Sequence, residues 1–110
     1  MKKICLIILI YLLTINAAYA DLNYGMTAYQ NSDYNTAYKE LLPFAKKGDM
    51  HAQYLLAEMY YHGNGVAKDY KTAFSWYQKA STQNHHPSQS MLVYMYKNGI
   101  GAKKNIKEAI

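Results

Sequence analysis

The sequence predicts an all-α fold, a superhelix (solenoid) of antiparallel helix hairpins with a 36-residue period whose last repeat is truncated. Two observations support this prediction: the chain matches itself when it is shifted by 36 residues, and its apolar residues recur every three or four positions. Repeat periods in the thirties are typical of paired helices stacked side by side. The matches are Asp33 with Asp69 and Asn105, Ala37 with Ala73 and Ala109, Tyr24 with Tyr60 and Tyr96, and Gly63 and Gly65 with Gly99 and Gly101.

The helices can be placed from the apolar pattern and from the residues at their ends. We predict helices at 22–31, 33–47, 50–62, 69–83, 87–98 and 105–110. A stripe at i, i+3, i+4, i+7 and i+8 defines the buried side of each helix. In the second unit these stripes are Ala52, Leu55, Leu56, Met59 and Tyr60, then Tyr70, Ala73, Phe74, Tyr77 and Ala80. The recurrence of Tyr24, Tyr60, Tyr77 and Tyr96 at stripe positions predicts that these four rings are buried in the core.

Three aspartates precede predicted helices and are expected to cap them. A carboxylate at this position accepts a hydrogen bond from a free backbone N–H of the first turn. Asp33, Asp49 and Asp69 have this placement, and Asn105 has it in the third unit.

The first twenty residues have the layout of a secretory signal peptide. Lys2 and Lys3 precede an apolar run at 4–13, and Ala18-Tyr19-Ala20 is a small-x-small cleavage sequence. The alternative, a membrane anchor, needs a run of ~18–20 apolar residues. We therefore expect residues 1–20 to be a signal peptide and residues 21–110 to form an exported repeat domain, periplasmic or secreted, with units of about 22–48, 49–84 and 85–110.

Composition and spacing argue against several kinds of site. The chain has a net charge of +5, and its twelve basic residues are all scattered lysines, so we expect no nucleic-acid partner. Its single cysteine lies in the signal segment, and its four histidines lack the spacing of metal ligands. We predict no catalytic residue, no metal and no cofactor, and, after cleavage, no stable membrane span.

The second unit carries a specific pattern of residues. It contains Gly63-x-Gly65-Val66 between its helices and Trp76-Tyr77-x-Lys79-Ala80 in the second helix. This pattern resembles the Sel-one-like repeat, a subfamily of the tetratricopeptide-like solenoids. The first unit departs from it, because Gly25 and Ala37 are 12 residues apart whereas the corresponding Ala57 and Ala73 are 16 apart.

The resemblance implies a scaffold or adaptor without intrinsic catalysis, which binds a protein or peptide in a concave groove. The groove positions, by analogy with tetratricopeptide-like units, are Tyr29, His51, Tyr54, Glu58, Tyr61, Ser90, Tyr94 and Lys97. Tyrosine suits a binding surface because it offers a large contact area and a polar tip. The alternative is that these tyrosines only pack against neighbouring helices.

Two other interpretations of the whole chain remain open. A small envelope hydrolase on the same fold would need an acid–histidine pair in the groove, and Glu58 with His51 or His62 is the available combination. A truncated, non-functional copy of a longer repeat protein is the other interpretation, because Ile110 corresponds to Phe74 in the middle of a helix. An incompletely covered last unit would favour self-association through the C-terminal end.

Overall fold

The computed structural model describes residues 2–109, with the side chains of residues 16–20 excluded. The cleavage-site side chains of Ala18 and Ala20, and Ile110, therefore lie outside the described residues. The elements are α1 (Lys2–Gln30), α2 (Tyr34–Lys46), α3 (Met50–His62), α4 (Tyr70–Ser81), α5 (His86–Asn98) and the short α6 (Ile106–Ala109). The residues described contain no strand, and the predicted all-α solenoid is confirmed.

The helices stack in chain order and alternate between two layers. Each helix contacts the next along the chain, and α1 also contacts α3 directly. The odd-numbered helices therefore form one layer and the even-numbered helices the other. The resulting body measures 60 × 30 × 17 Å.

The predicted N-caps are confirmed. The carboxylate of Asp49 accepts from the backbone N–H of Ala52 at 2.8 Å, and Asp69 and Asp33 cap α4 and α2 in the same way. Asn105 caps α6 through its side-chain oxygen. Each cap satisfies a backbone donor that the helix itself leaves free, which fixes where the helix begins.

The second glycine of each Gly-x-Gly loop fixes how one unit sits on the previous one. Gly65 has a left-handed backbone with φ of 73°, and a Cβ there would lie 2.7 Å from Cβ of Tyr34 at the start of α2. Gly101, 36 residues later, has φ of 69°, and a Cβ there would lie even closer to the backbone carbonyl of Tyr70 at the start of α4. The Gly-x-Gly loops of the second and third units thus pack directly on the even-numbered helix of the unit before, α2 or α4. This contact repeats every 36 residues, so it explains why glycine recurs at that interval.

The core consists of two clusters that share one aromatic side chain. The first lies between α1, α2 and α3 and contains Ala28, Ala37, Leu41, Ala45, Ala52, Leu56 and Met59. The second lies between α3, α4 and α5 and contains Ala57, Ala73, Tyr77 and Met95. Trp76 is half-buried and packs against both clusters. The many alanines allow the helix backbones to approach closely, and Trp76 is a large side chain that contacts both clusters.

The first unit contains the main differences from the sequence prediction. Tyr24 is 58% exposed, so its predicted burial is wrong. Gly25 and Ala28 face the core instead, and a Cβ on Gly25 would lie 2.9 Å from Cδ2 of Leu41. The turn between α1 and α2 is four residues shorter than the turn of the second unit, judged by the 12- and 16-residue spacings. This difference shifts the first helix out of the 36-residue register.

The first helix also begins earlier than predicted. It runs from Lys2 without a break, because no glycine or proline occurs before Gly25. The apolar side chains from Ile4 to Leu13 are all more than half exposed. Among the residues described, no helix combines the length and the apolar character that crossing a membrane requires.

Candidate functional site

The groove residues that the sequence predicts all lie on the odd-numbered layer of helices. Tyr29 is on α1; His51, Tyr54, Glu58 and Tyr61 are on α3; Ser90, Tyr94 and Lys97 are on α5. His51, Ser90, Tyr94 and Lys97 are exposed, whereas Tyr29, Tyr54, Glu58 and Tyr61 are half-buried. We call this surface the tyrosine face and define it by these eight residues.

Glu58 lies at the centre of the tyrosine face. Its side chain is 17% exposed, and its Oε1 accepts a hydrogen bond of 2.5 Å from the phenol of Tyr77. Its Oε2 lies 3.4 Å from Nε2 of His62, one helical turn further along α3. This is the only ion pair within the described part of the chain, and it carries a charge on both sides only when His62 is protonated.

Two tyrosines beside Glu58 are affected by its charge. Burial, followed by the negative charge of Glu58, raises the pKa of Tyr29 to about 12. The same two causes, in the same order, raise the pKa of Tyr54 above its usual 10.0. Tyr77 is fully buried, and burial together with its bond to Glu58 raises its pKa further. All three phenols therefore stay protonated at neutral pH and can act as hydrogen-bond donors.

Tyr61 extends the aromatic cluster towards the third unit. Its ring centroid lies 5.1 Å from that of Tyr70 and 6.5 Å from that of Tyr77. Burial first, and then the neighbouring Tyr94 and Tyr70, raise the pKa of Tyr61. Tyr94 remains 49% exposed, so the aromatic surface continues from α3 onto α5.

His85 closes the opposite end of the cluster, and the sequence analysis missed its role. It is only 9% exposed, and its Nδ1 caps α5 by accepting from the backbone N–H of Ser88 at 3.3 Å. Its ring lies 4.9 Å from Tyr54 and 5.6 Å from His51, between centroids. Burial, followed by the neighbouring His51 and His86, lowers its pKa below 6.5. The sequence does indicate this capping role, because His85 lies 36 residues after Asp49, which caps α3.

Two glutamines 36 residues apart, which form equivalent hydrogen bonds between units, were also missed. Gln53 is buried, and its Nε2 donates to the backbone carbonyl of Ala45 at 3.1 Å. Gln89 donates in the same way to the carbonyl of Ser81 at 3.1 Å. Donor and acceptor are both displaced by 36 residues between the two bonds. Each glutamine therefore gives a second hydrogen bond to a carbonyl at the end of α2 or α4, which also accepts from a backbone N–H, and ties each unit to the next.

The side chains of the tyrosine face provide hydrogen bonding and aromatic contacts around one negative charge. Phenol donors and aromatic faces surround a single carboxylate, with histidines at the margins. Of the two pairings open to a hydrolase, the structure forms Glu58 with His62 and leaves His51 beside His85. Among the residues described, no three His, Cys, Asp or Glu side chains come together as a metal site would require.

Comparison with known proteins identifies the repeat. The family model for the Sel1 repeat matches residues 51–85 and 86–110. The chain is similar to the crystal structure of a Sel1 repeat protein from Oxalobacter formigenes, with 29% identity, a TM-score of 0.77, and coverage of 84% of this chain and 73% of that one. It is also similar to a protective antigen present in uropathogenic Escherichia coli strains that displays an SLR fold, with 28% identity and a TM-score of 0.76.

The second similarity covers a small part of a longer protein. It includes 84% of this chain but only 20% of the antigen, so the chain spans about a fifth of that relative's length. No curated protein gives a significant match. The family model covers more than half of the chain, and the solved structures share its solenoid. The chain belongs to the Sel1 repeat family.

Proposed function

We propose that this protein is an exported, non-catalytic scaffold that holds a protein partner on its tyrosine face. Sel1 repeat proteins are generally protein-interaction scaffolds, which supports the general class of function. The observation that carries the assignment to this face is the position of Tyr29 and Tyr54 beside Glu58, because these side chains come from two helices of neighbouring units.

The exposure of the cluster supports binding rather than packing alone. Tyr77, on α4 in the even-numbered layer, is fully buried, so it can contact only other groups of the same protein. Tyr54 and Tyr61 keep part of their rings accessible, and Tyr94 is about half exposed. A rigid aromatic surface with polar tips loses little side-chain entropy when it binds, because each tyrosine has only two side-chain torsions.

Export is part of the proposal, and the proposed location is periplasmic or extracellular. The layout of residues 1–20 supports it. The exposed apolar side chains of Ile4 to Leu13 support it further, because they belong to neither core cluster. Removing that segment would leave the core of the solenoid intact.

The test is affinity capture from an envelope extract with matched variants. Tyr54→Ala with Tyr61→Ala should abolish capture of proteins that the wild type retains. Tyr94→Ser should weaken capture with little effect on stability, because its ring is half exposed. Tyr24→Ala is the control, since Tyr24 is an exposed tyrosine outside the face.

The result that contradicts the proposal is equal capture by all four proteins. Circular dichroism and thermal melting must accompany the experiment, because Tyr54 and Tyr61 both contact the ring of Tyr77. A loss of capture by the folded Tyr94→Ser variant cannot be attributed to unfolding.

A further inference from the structure

The charge of Glu58 indicates what kind of side chain the face receives. We propose that Glu58 binds a cationic side chain of the partner, an arginine guanidinium, with Tyr29 and Tyr54 as its aromatic walls. This inference rests on the proposed function, since it specifies the chemistry of the partner at the same face.

The carboxylate of Glu58 has acceptor capacity that the protein does not use. A carboxylate offers about four lone-pair sites. Tyr77 and His62 each occupy one of them, and the phenol of Tyr54 also forms a hydrogen bond with Glu58, so about one site remains for a partner. No lysine within the described part of the chain comes within 4.0 Å of either oxygen, so a partly desolvated negative charge has only a histidine as its counterion. A charged group in this position favours an incoming cation, because partial burial weakens screening by solvent.

The rings around Glu58 suit the same ligand. The centroid-to-cation distances that favour attraction to an aromatic face are within about 6 Å. The chain forms such contacts elsewhere, with Nζ of Lys79 4.4 Å from the centroid of Trp76 and Nζ of Lys68 5.0 Å from that of Tyr70. At Glu58 the aromatic rings are present, but no lysine of the described residues lies within 4.0 Å of its carboxylate, so a partner can supply a permanent cation.

Arginine fits this site better than lysine. Its planar guanidinium stacks on aromatic rings and offers several donors in a fixed geometry, whereas an ammonium is a compact and strongly hydrated charge. The chain itself contains no arginine, so no guanidinium of this sequence can occupy the site.

The structural role of Glu58 must be separated from its binding role. Its hydrogen bond to Tyr77 joins α3 to α4, so replacement of Glu58 by alanine would remove this bond together with the charge that binds the cation. Glu58→Gln keeps an oxygen acceptor for the phenol of Tyr77 and removes the charge. Glu40→Gln is the matched control, because it makes the same change on α2.

The experiment is an NMR titration of the protein purified after expression of the full chain. The probes are N-acetyl-Gly-Arg-Gly-amide and the same peptide with citrulline, which is neutral and nearly isosteric. We expect the arginine peptide to shift the amide signals of Tyr54 and Glu58, and to bind at least about tenfold more tightly than the citrulline peptide, since the ionic hydrogen bonds are lost with the charge. Glu58→Gln should remove this difference, and Glu40→Gln should preserve it.

Several results would overturn the inference. Equal binding of the two peptides, shifts outside the tyrosine face, or an arginine preference that survives Glu58→Gln would each contradict it. The proposed function fails separately. If captured proteins are lost with Tyr54→Ala and Tyr61→Ala but retained by a folded Glu58→Gln variant, the face binds a partner without this cation and only the further inference is wrong. If the arginine peptide binds at Glu58 while capture is indifferent to all tyrosine changes, the proposed function is wrong and the cation site remains.

Discussion

The close contact of Gly65 with the start of α2 gives a prediction about how the units are held together. We expect Gly65→Ala to destabilise the protein more than Gly63→Ala, although both glycines have nearly the same left-handed backbone, with φ of 73° and 70°. The two changes therefore share the backbone cost of placing an L-residue in this region, about 1–2 kcal/mol. What differs is the space that a new Cβ would enter.

The structure gives the size of that difference. At Gly65 the Cβ would lie 2.7 Å from Cβ of Tyr34 and 3.0 Å from its backbone carbon and oxygen, which belong to the first turn of a helix and cannot yield freely. At Gly63 the nearest atom is Cβ of Lys68 at 3.1 Å, in a loop. Forcing a methyl group into a packed contact costs roughly 1–3 kcal/mol. We expect a total of about 3 kcal/mol for Gly65→Ala and about 1–2 kcal/mol for Gly63→Ala.

Chemical denaturation followed by circular dichroism measures both values. A domain of this size has a total stability of roughly 5–10 kcal/mol, so a loss of about 3 kcal/mol would be a large fraction of it. In thermal melting, 1 kcal/mol corresponds to about 4–8 °C for a domain of 60–100 residues. Equal destabilisation by the two substitutions would show that the loop of the second unit does not pack tightly on α2, and the explanation of the 36-residue glycine spacing would fail.

Three further predictions concern Trp76, His85 and the N-terminus. Trp76→Ala should lower the free energy of unfolding by ~2 kcal/mol. This is less than the ~3–5 kcal/mol expected for a fully buried tryptophan, because the side chain is half-buried. Unchanged denaturation would show that Trp76 does not join the two clusters. The lowered pKa of His85 means that the unfolded chain takes up this proton first as the pH falls below 6.5. Its stabilising contribution is therefore complete above pH 6.5 and declines towards lower pH. Thermal melting at pH 7.5 and 5.5 should show a smaller pH dependence in His85→Asn, which retains a capping side chain, and an unchanged dependence would contradict the assignment. N-terminal sequencing of the exported protein should begin at Asp21, following cleavage after Ala20, whereas a start at Met1 in the membrane fraction would refute export with cleavage.

Local sequence features were enough to predict most of the fold. Helix caps such as Asp49 and Asp69 depend on a few neighbouring residues, so the pattern that identifies them survives in any tertiary context. The burial of Tyr24 was wrong because it relied on the 36-residue register alone. The short turn of the first unit shifts that register, and the 12-residue spacing from Gly25 to Ala37 indicates the shift in the sequence itself.

The composition of the tyrosine face could be predicted, but not its internal contacts. The helical stripe placed Tyr77 in the core and the resemblance placed Glu58 in the groove. Their hydrogen bond depends on the angle between α3 and α4, which no periodicity specifies. The histidines were considered only as metal ligands, and histidine is not a preferred cap, whereas comparison of His85 with Asp49 in the preceding unit would have identified its capping position.

Site-specific photo-crosslinking tests most directly whether the tyrosine face contacts a partner in the cell. A photoreactive amino acid is placed at Ser90, which is exposed on α5, or at Ser75, which is exposed on α4 in the other layer. We predict that illumination of living cells produces a crosslinked protein adduct from position 90 and none from position 75, and that adding Tyr54→Ala removes the adduct. Adducts from position 75 alone, or equal adducts from both positions, would contradict the account.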